Sequence, residues 1–184
     1  MRLRERWINL IYRSATSGKK IRVFLTPVGG VLYFTVIVLF IAISLWMDKF
    51  LGLPKFLSTP LNITVSVPII AIGLFLILWS ALHFFKIKGT PVPFHPPPKL
   101  VTAGPYAYVR NPMLTGIFIW LFGFGFLFRS ISLVFIFTPL FILLNVLELK
   151  AIEEPELEKR LGREYVEYGN RVPMFIPWLG RNKK

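Results

Sequence analysis

The chain has 184 residues, 54% of them hydrophobic and only 17% charged, with 18 Phe and 5 Trp. That composition excludes an ordinary soluble core, and the absence of cysteine excludes disulfides, thiolate catalysis and Cys-ligated zinc or iron–sulfur sites. A formal charge of +13 would suggest nucleic acid for a soluble protein, but basic loops beside apolar spans are what membrane topology requires, so no nucleic-acid partner is expected.

Residues 1–26 form a basic segment. Leu3, Trp7, Leu10 and Ile11 recur at helical spacing while Arg2, Arg6 and Arg13 lie elsewhere around the wheel, which predicts a helix lying in the membrane interface. It reads as an anchor and not as a signal peptide, because no small-residue cleavage pattern follows the first apolar run before Asp48 and Lys49.

Four apolar runs predict transmembrane helices over 28–47, 61–85, 113–128 and 131–149. A helix crossing a bilayer core needs about 20 residues, so the first two runs are comfortable and the last two short. Only Arg129 and Ser130 separate the last two, which predicts a tight hairpin with Gly116, Gly123 and Gly125 as small packing surfaces. Gly123-x-Gly125 lies within an apolar run and therefore reads as packing, not as a nucleotide motif. The fold class is an all-α integral membrane protein in one domain, 1–184, with an interfacial N-terminal helix and a cytoplasmic C-terminal helix.

Lys and Arg set the orientation. The segment before the first span, the loop 86–112 and the C-terminal segment 150–184 hold 19 of the 22, so both termini and that loop are expected in the cytoplasm of a cell with a plasma (inner) membrane. Polar residues within the spans are few: Asn62, Thr64, Ser66, His83, Asn145 and Glu148. His83 sits at the cytoplasmic boundary and reads as an interfacial residue without an assigned role. No chain of buried ionisable groups marks a proton or ion pathway, which disfavours a transporter.

Loop 86–112 contains six prolines before Pro112, together with Tyr106 and Tyr108, a composition for a stiff, ordered loop. It ends in Arg110-Asn111-Pro112, a helix start with Asn at the N-cap and Pro at the first helical position. Free backbone N–H groups and the positive dipole end would favour an anion there, and Arg110 would add a guanidinium fork; an interaction with lipid headgroups is the alternative. The segment 150–184 begins just after Glu148, and seven of the nine acids are Glu148, Glu153, Glu154, Glu156, Glu158, Glu164 and Glu167. Leu157, Leu161, Tyr165 and Tyr168 follow helical spacing and predict a short amphipathic helix with Pro155 near its first turn. Glu153 and Glu154 stand at the junction with the last span, where they can oppose a cationic ligand or accept from ribose hydroxyls, or simply complement the helix dipole.

These residues resemble the integral-membrane methyltransferases that include isoprenylcysteine carboxyl methyltransferase and phospholipid N-methyltransferases. Gly104-Pro105-Tyr106-Ala107-Tyr108-Val109-Arg110-Asn111-Pro112-Met113-Leu114-Thr115-Gly116 is similar to that family's Arg-His/Asn-Pro-x-Tyr-x-Gly stretch. Glu153-Glu154-x-x-Leu157, Leu161-Gly162-x-x-Tyr165-x-x-Tyr168 and Val172-Pro173 are similar to its C-terminal signature, and Lys88-Gly89-Thr90-Pro91 completes a resemblance over roughly 70–178. The resemblance implies S-adenosyl-L-methionine as cofactor and a methyl acceptor arriving from the bilayer, a lipid or other lipophilic substrate. It implies a cofactor site drawn from Lys88, Gly89, Thr90, Tyr106, Val109, Arg110, Asn111, Pro112, Gly116, Glu153 and Glu154, with Arg110, Glu154 and Tyr108 as candidates for the chemistry and no metal. Asn111 stands where the prenylcysteine enzymes have His, which favours a phospholipid-type amine over a prenylcysteine carboxylate; Leu114 replaces the family's usual Tyr. A non-catalytic membrane scaffold working through the Gly-containing hairpin is the binding-class alternative. The oligomeric state is not legible.

Overall fold

The structure, a computed structural model, describes residues 3–16, 19–86 and 100–177. Every regular element among them is helical: α1 (Leu3–Ala15), α2 (Lys19–Phe50), α3 (Leu61–Lys86), a 3-10 turn (Gly104–Ala107), α4 (Pro112–Phe128), α5 (Thr138–Glu148), α6 (Glu154–Leu161) and α7 (Arg163–Arg171). A chain with few polar side chains in its apolar runs must satisfy its backbone internally, and in hydrocarbon a helix does so within one segment. Among the described residues, Leu25–Phe50, Leu61–Phe84 and Leu133–Leu161 are helical, long and apolar enough to cross a membrane; Pro112–Phe128 is a shorter apolar helix.

The closest helix pair is α3 with α4, not the last two spans. A Cβ built on Gly73 would lie 2.7 Å from the Gly116 carbonyl oxygen, and one on Gly116 would lie 2.7 Å from that of Gly73. Further along, a Cβ on Gly123 would lie 2.6 Å from Ile70 Cγ1. The two backbones are therefore in direct contact, as small residues permit where no hydrophobic force drives helices together. Asn62 closes the other end by donating from Nδ2 to the Leu127 carbonyl (2.9 Å). Of the three glycines expected to serve the final hairpin only Gly125 does, lying against Val134. The spacing of Gly116 and Gly123 marks a close helix contact, but a single sequence does not say which helix supplies the other side. Gly73→Ala, which forces a methyl group into that contact, is expected to destabilise the protein by about 1–3 kcal/mol; thermal unfolding in detergent checks this.

Arg129 ends α4 in the left-handed conformation (φ 57°), its N–H bonding back to Gly125 and Phe126. The following helix then runs without interruption over 131–161. Two wide π turns, Leu133–Phe137 and Leu149–Glu153, lie within it. The last span therefore continues into the tail helix without a bend before Pro155: that residue, which offers no N–H, is absorbed directly after the second wide turn at the start of α6. Gly162 (φ 62°, ψ −140°) then breaks the expected single amphipathic helix into α6 and α7. Its positive φ is one that side chains avoid.

The core joining these helices is aromatic. Phe40 of α2 meets Phe141 of α5 edge-on at 5.3 Å, Phe141 meets Phe118 of α4 at 6.1 Å, and Phe118 meets Phe175 of the C-terminal segment at 5.3 Å. Such tilted pairs suit the ring quadrupoles. Phe175 therefore fastens the C-terminal segment onto the same core that holds the spans.

Candidate functional site

The loop leading into α4 and the helices following the last span meet at one end of the bundle. Gly104 opens the 3-10 turn with φ +62°, and a Cβ there would overlap the His83 imidazole. His83 at the end of α3 approaches the Trp79 carbonyl through Nδ1 (2.9 Å); since a carbonyl only accepts, Nδ1 carries the proton. His83 is therefore the floor on which the turn rests. The turn buries Tyr106, whose ring meets Phe84 at 5.2 Å, and Val109, while Tyr168 of α7 donates its hydroxyl hydrogen to the Tyr106 carbonyl (2.7 Å).

Arg110 is anchored at both ends. Its backbone N–H donates to the Pro173 carbonyl (2.8 Å), and that of Asn111 donates to Met174 (3.1 Å). Its side chain reaches across to the last helix, where Nη1 lies 2.6 Å from Glu154 Oε1, both side chains being less than one-fifth exposed. A Cβ on Gly169 would lie 3.1 Å from Nη1, so the guanidinium passes directly over that glycine. The Tyr165 phenol feels both the Arg110 and Glu154 charges. Arg110 Nε is buried with no acceptor in hydrogen-bonding geometry.

Burial pushes the phenols of Tyr106, Tyr165 and Tyr168 above their ordinary range, and for Tyr165 the Glu154 carboxylate adds to the rise while Arg110 opposes it. These tyrosines are neutral hydrogen-bond donors, not bases. Tyr168→Phe is expected to cost about 1–3 kcal/mol, because it leaves the buried Tyr106 carbonyl without its donor; chemical denaturation in detergent measures the loss.

The sequence-derived residues fall into four groups. Tyr106, Val109, Arg110, Pro112 and Glu154 come together at this end, with Glu153 beside Glu154 in the wide turn and close to Glu148, Glu156 and Arg160. Asn111 is the N-cap by position but forms no side-chain cap, and its carbonyl accepts from the Thr115 hydroxyl (3.0 Å). Ahead of the helix, the N–H groups of Arg110 and Asn111 donate to the Pro173 and Met174 carbonyls. Gly116 packs on α3, and Tyr108 is 56% exposed, outside the buried group. Lys88, Gly89 and Thr90 lie outside the described residues.

Sequence reasoning named Tyr165 and Tyr168 without their contacts to the loop and to Arg110, and missed Gly169 under the guanidinium and the pairing of 110–111 with 173–174. The Tyr-x-x-Tyr-Gly string was the available signal for the first three. Backbone pairing leaves no mark in side-chain identity.

The donor set suits a zwitterionic, cationic cofactor. A guanidinium with an unpartnered N–H offers a place for a carboxylate, and adjacent Glu153 and Glu154 offer acceptors for ammonium and hydroxyl groups. Similarity to known proteins agrees in region. The profile of the family described as phospholipid methyltransferase matches residues 61–164. The nickel-cobalt-cadmium resistance protein NccN of Alcaligenes xylosoxydans xylosoxydans is 32% identical over 102 residues, 55% of this chain and 43% of that protein. The chain thus spans less than half the length of this curated relative. No solved structure matches it.

Proposed function

The chain belongs to the phospholipid methyltransferase family, and from that membership we propose that it transfers a methyl group from S-adenosyl-L-methionine to an amine of a membrane lipid. The observation that carries the reading is the Arg110–Glu154 pair (2.6 Å), two groups of opposite charge held between the loop, the start of α4 and the last helix. The cofactor supplies a methyl group activated on a sulfonium. Arg110 binds its carboxylate, displacing or sharing Glu154, and Glu153 and Glu154 accept from its ammonium and ribose hydroxyls. Tyr106, Val109 and Pro112 form the wall of that site, and the family resemblance assigns Lys88, Gly89 and Thr90 to it as well.

Displacement at a sulfonium requires the nucleophile in line and about 3 Å from the methyl carbon, in a site closed to water. Positioning by the protein accounts for most of the rate. An ammonium acceptor must first lose a proton, and Glu154 or Tyr108 is the group proposed to take it or pass it to solvent. The acceptor arrives laterally from the bilayer, and the site lies on the cytoplasmic side of the plasma (inner) membrane, as do both termini.

One specific residue favours a second reading less: Asn111 rather than His at the loop end argues against a prenylcysteine carboxylate as acceptor. The test is transfer from methyl-tritiated S-adenosylmethionine in lipid nanodiscs containing either aminophospholipids or prenylated carboxylates. Label in the amine lipid supports the proposal; label in the carboxylate alone transfers the protein to the carboxyl-methylating class. Cofactor binding with no label in any acceptor would leave a silent scaffold.

A further inference from the structure

Helix α1 is docked on the last helix by one of its faces. Arg4 donates from Nε to the Ala151 carbonyl (2.8 Å). In an α-helix that carbonyl would serve the residue four positions on, which here is Pro155 and has no N–H to give. Lys159 of α6 grips α1 a second time, donating from Nζ to Asn9 Oδ1 (2.8 Å) and lying 4.5 Å from the centroid of the Tyr12 ring. These three contacts attach α1 to the stretch 149–161, immediately beside Glu153 and Glu154.

The opposite face has another composition. Arg6, Trp7, Leu10 and Arg13 are neighbours around the wheel; both arginines are exposed, and Trp7 and Leu10 are each 51% exposed. An aromatic and an aliphatic side chain flanked by guanidinium groups is the composition of a helix lying at a lipid headgroup boundary. The membrane-crossing part of α2 begins at Leu25, so α1 lies at the end of the bundle where that boundary falls. Residues 1–26 carry seven Lys and Arg against one acid, Glu5. The fitting surface is therefore anionic.

We propose that the outward face of α1 binds anionic lipid headgroups and thereby clamps the turn 149–154 that presents Glu153 and Glu154. Headgroup charge then sets how firmly those carboxylates are held. The binding surface stands independently of the methyltransferase reading; only the consequence for cofactor affinity rests on it.

Because the chain has no cysteine, Leu10→Cys gives a single labelling position on the outward face of α1 for an environment-sensitive fluorophore. The full-length protein is placed in nanodiscs of phosphatidylcholine, with or without phosphatidylglycerol, and amide hydrogen exchange is read over 149–154. With the anionic lipid the fluorophore is expected to shift to the blue and exchange over 149–154 to slow, and both differences to vanish in Arg6→Glu/Arg13→Glu. Each of these arginines is expected to change the lipid-docked population about fivefold. A fluorophore indifferent to phosphatidylglycerol overturns the lipid surface. A blue shift with unchanged exchange over 149–154 overturns the clamp. Signals that follow protein concentration instead of lipid charge assign the face to a second copy and overturn the proposal. None of these readouts depends on methyl transfer, so the outcome is separable from that of the proposed activity.

Discussion

Arg110→Ala is expected to weaken S-adenosylmethionine binding by about two orders of magnitude and to destabilise the protein as well. Removing one partner of a buried charge pair costs about 2–5 kcal/mol in binding, much of it from the charge left behind. Here that charge is Glu154, less than one-fifth exposed and 2.6 Å from the guanidinium. Loss of stability alone would not identify a ligand site, so two further variants separate the contributions. Arg110→Lys retains the charge without the planar fork and is expected to recover stability more fully than affinity. In Arg110→Ala/Glu154→Gln the uncompensated carboxylate is gone, so stability should return towards that of the parent while cofactor binding stays weak. Calorimetric titration and thermal unfolding of the set measure both quantities; recovery of binding together with stability in the double variant would make the pair purely structural.

Removing residues 172–184 is the second change of large expected effect. Pro173 and Met174 supply the acceptors for the Arg110 and Asn111 N–H groups, and Phe175 packs 5.3 Å from Phe118 in the aromatic core. Without them two backbone donors lose their partners, each worth about 1–3 kcal/mol where burial persists, and the described part of the loop before α4 keeps its contacts with Tyr168, His83, Phe84 and Glu154 but loses its backbone pairing. Cofactor binding is expected to be lost while the spans remain helical by circular dichroism. Phe175→Ala is the milder test: it removes the aromatic fastening but retains both carbonyls, and should reduce affinity less than the truncation. Equal affinity in the parent and the truncated chain would show that the C-terminal segment does not position Arg110.

The helical class and the start of α4 were legible because they depend on local pattern. Uncharged runs of about 20 residues and the Arg110-Asn111-Pro112 string need only the sequence beside them. Arg110 and Glu154 were likewise identifiable, by charge placed at element ends. Their pairing was not, since nothing local says that the two ends meet. Gly116 illustrates the converse: its lack of a side chain suits either a ligand or a helix contact, and the neighbour it packs on, Gly73, lies on another helix. Whether the last span continues past Glu148 or bends before Pro155 was open in the sequence, for a physical reason too. Pro155 reads as a break, yet a wide turn just before it keeps the helix continuous, and Arg4 takes the carbonyl it cannot serve. Gly162, by contrast, stands in the Leu161-Gly162-x-x-Tyr165 string, which shows its place but not its backbone consequence, the division of one helix into two.

Calorimetric titration of the purified, folded protein in detergent with S-adenosylmethionine tests the cofactor assignment most directly. Saturable binding that disappears in Arg110→Ala is the expected result. Absence of binding in protein shown to be folded would contradict the assignment and leave the charged end of the bundle without a cofactor.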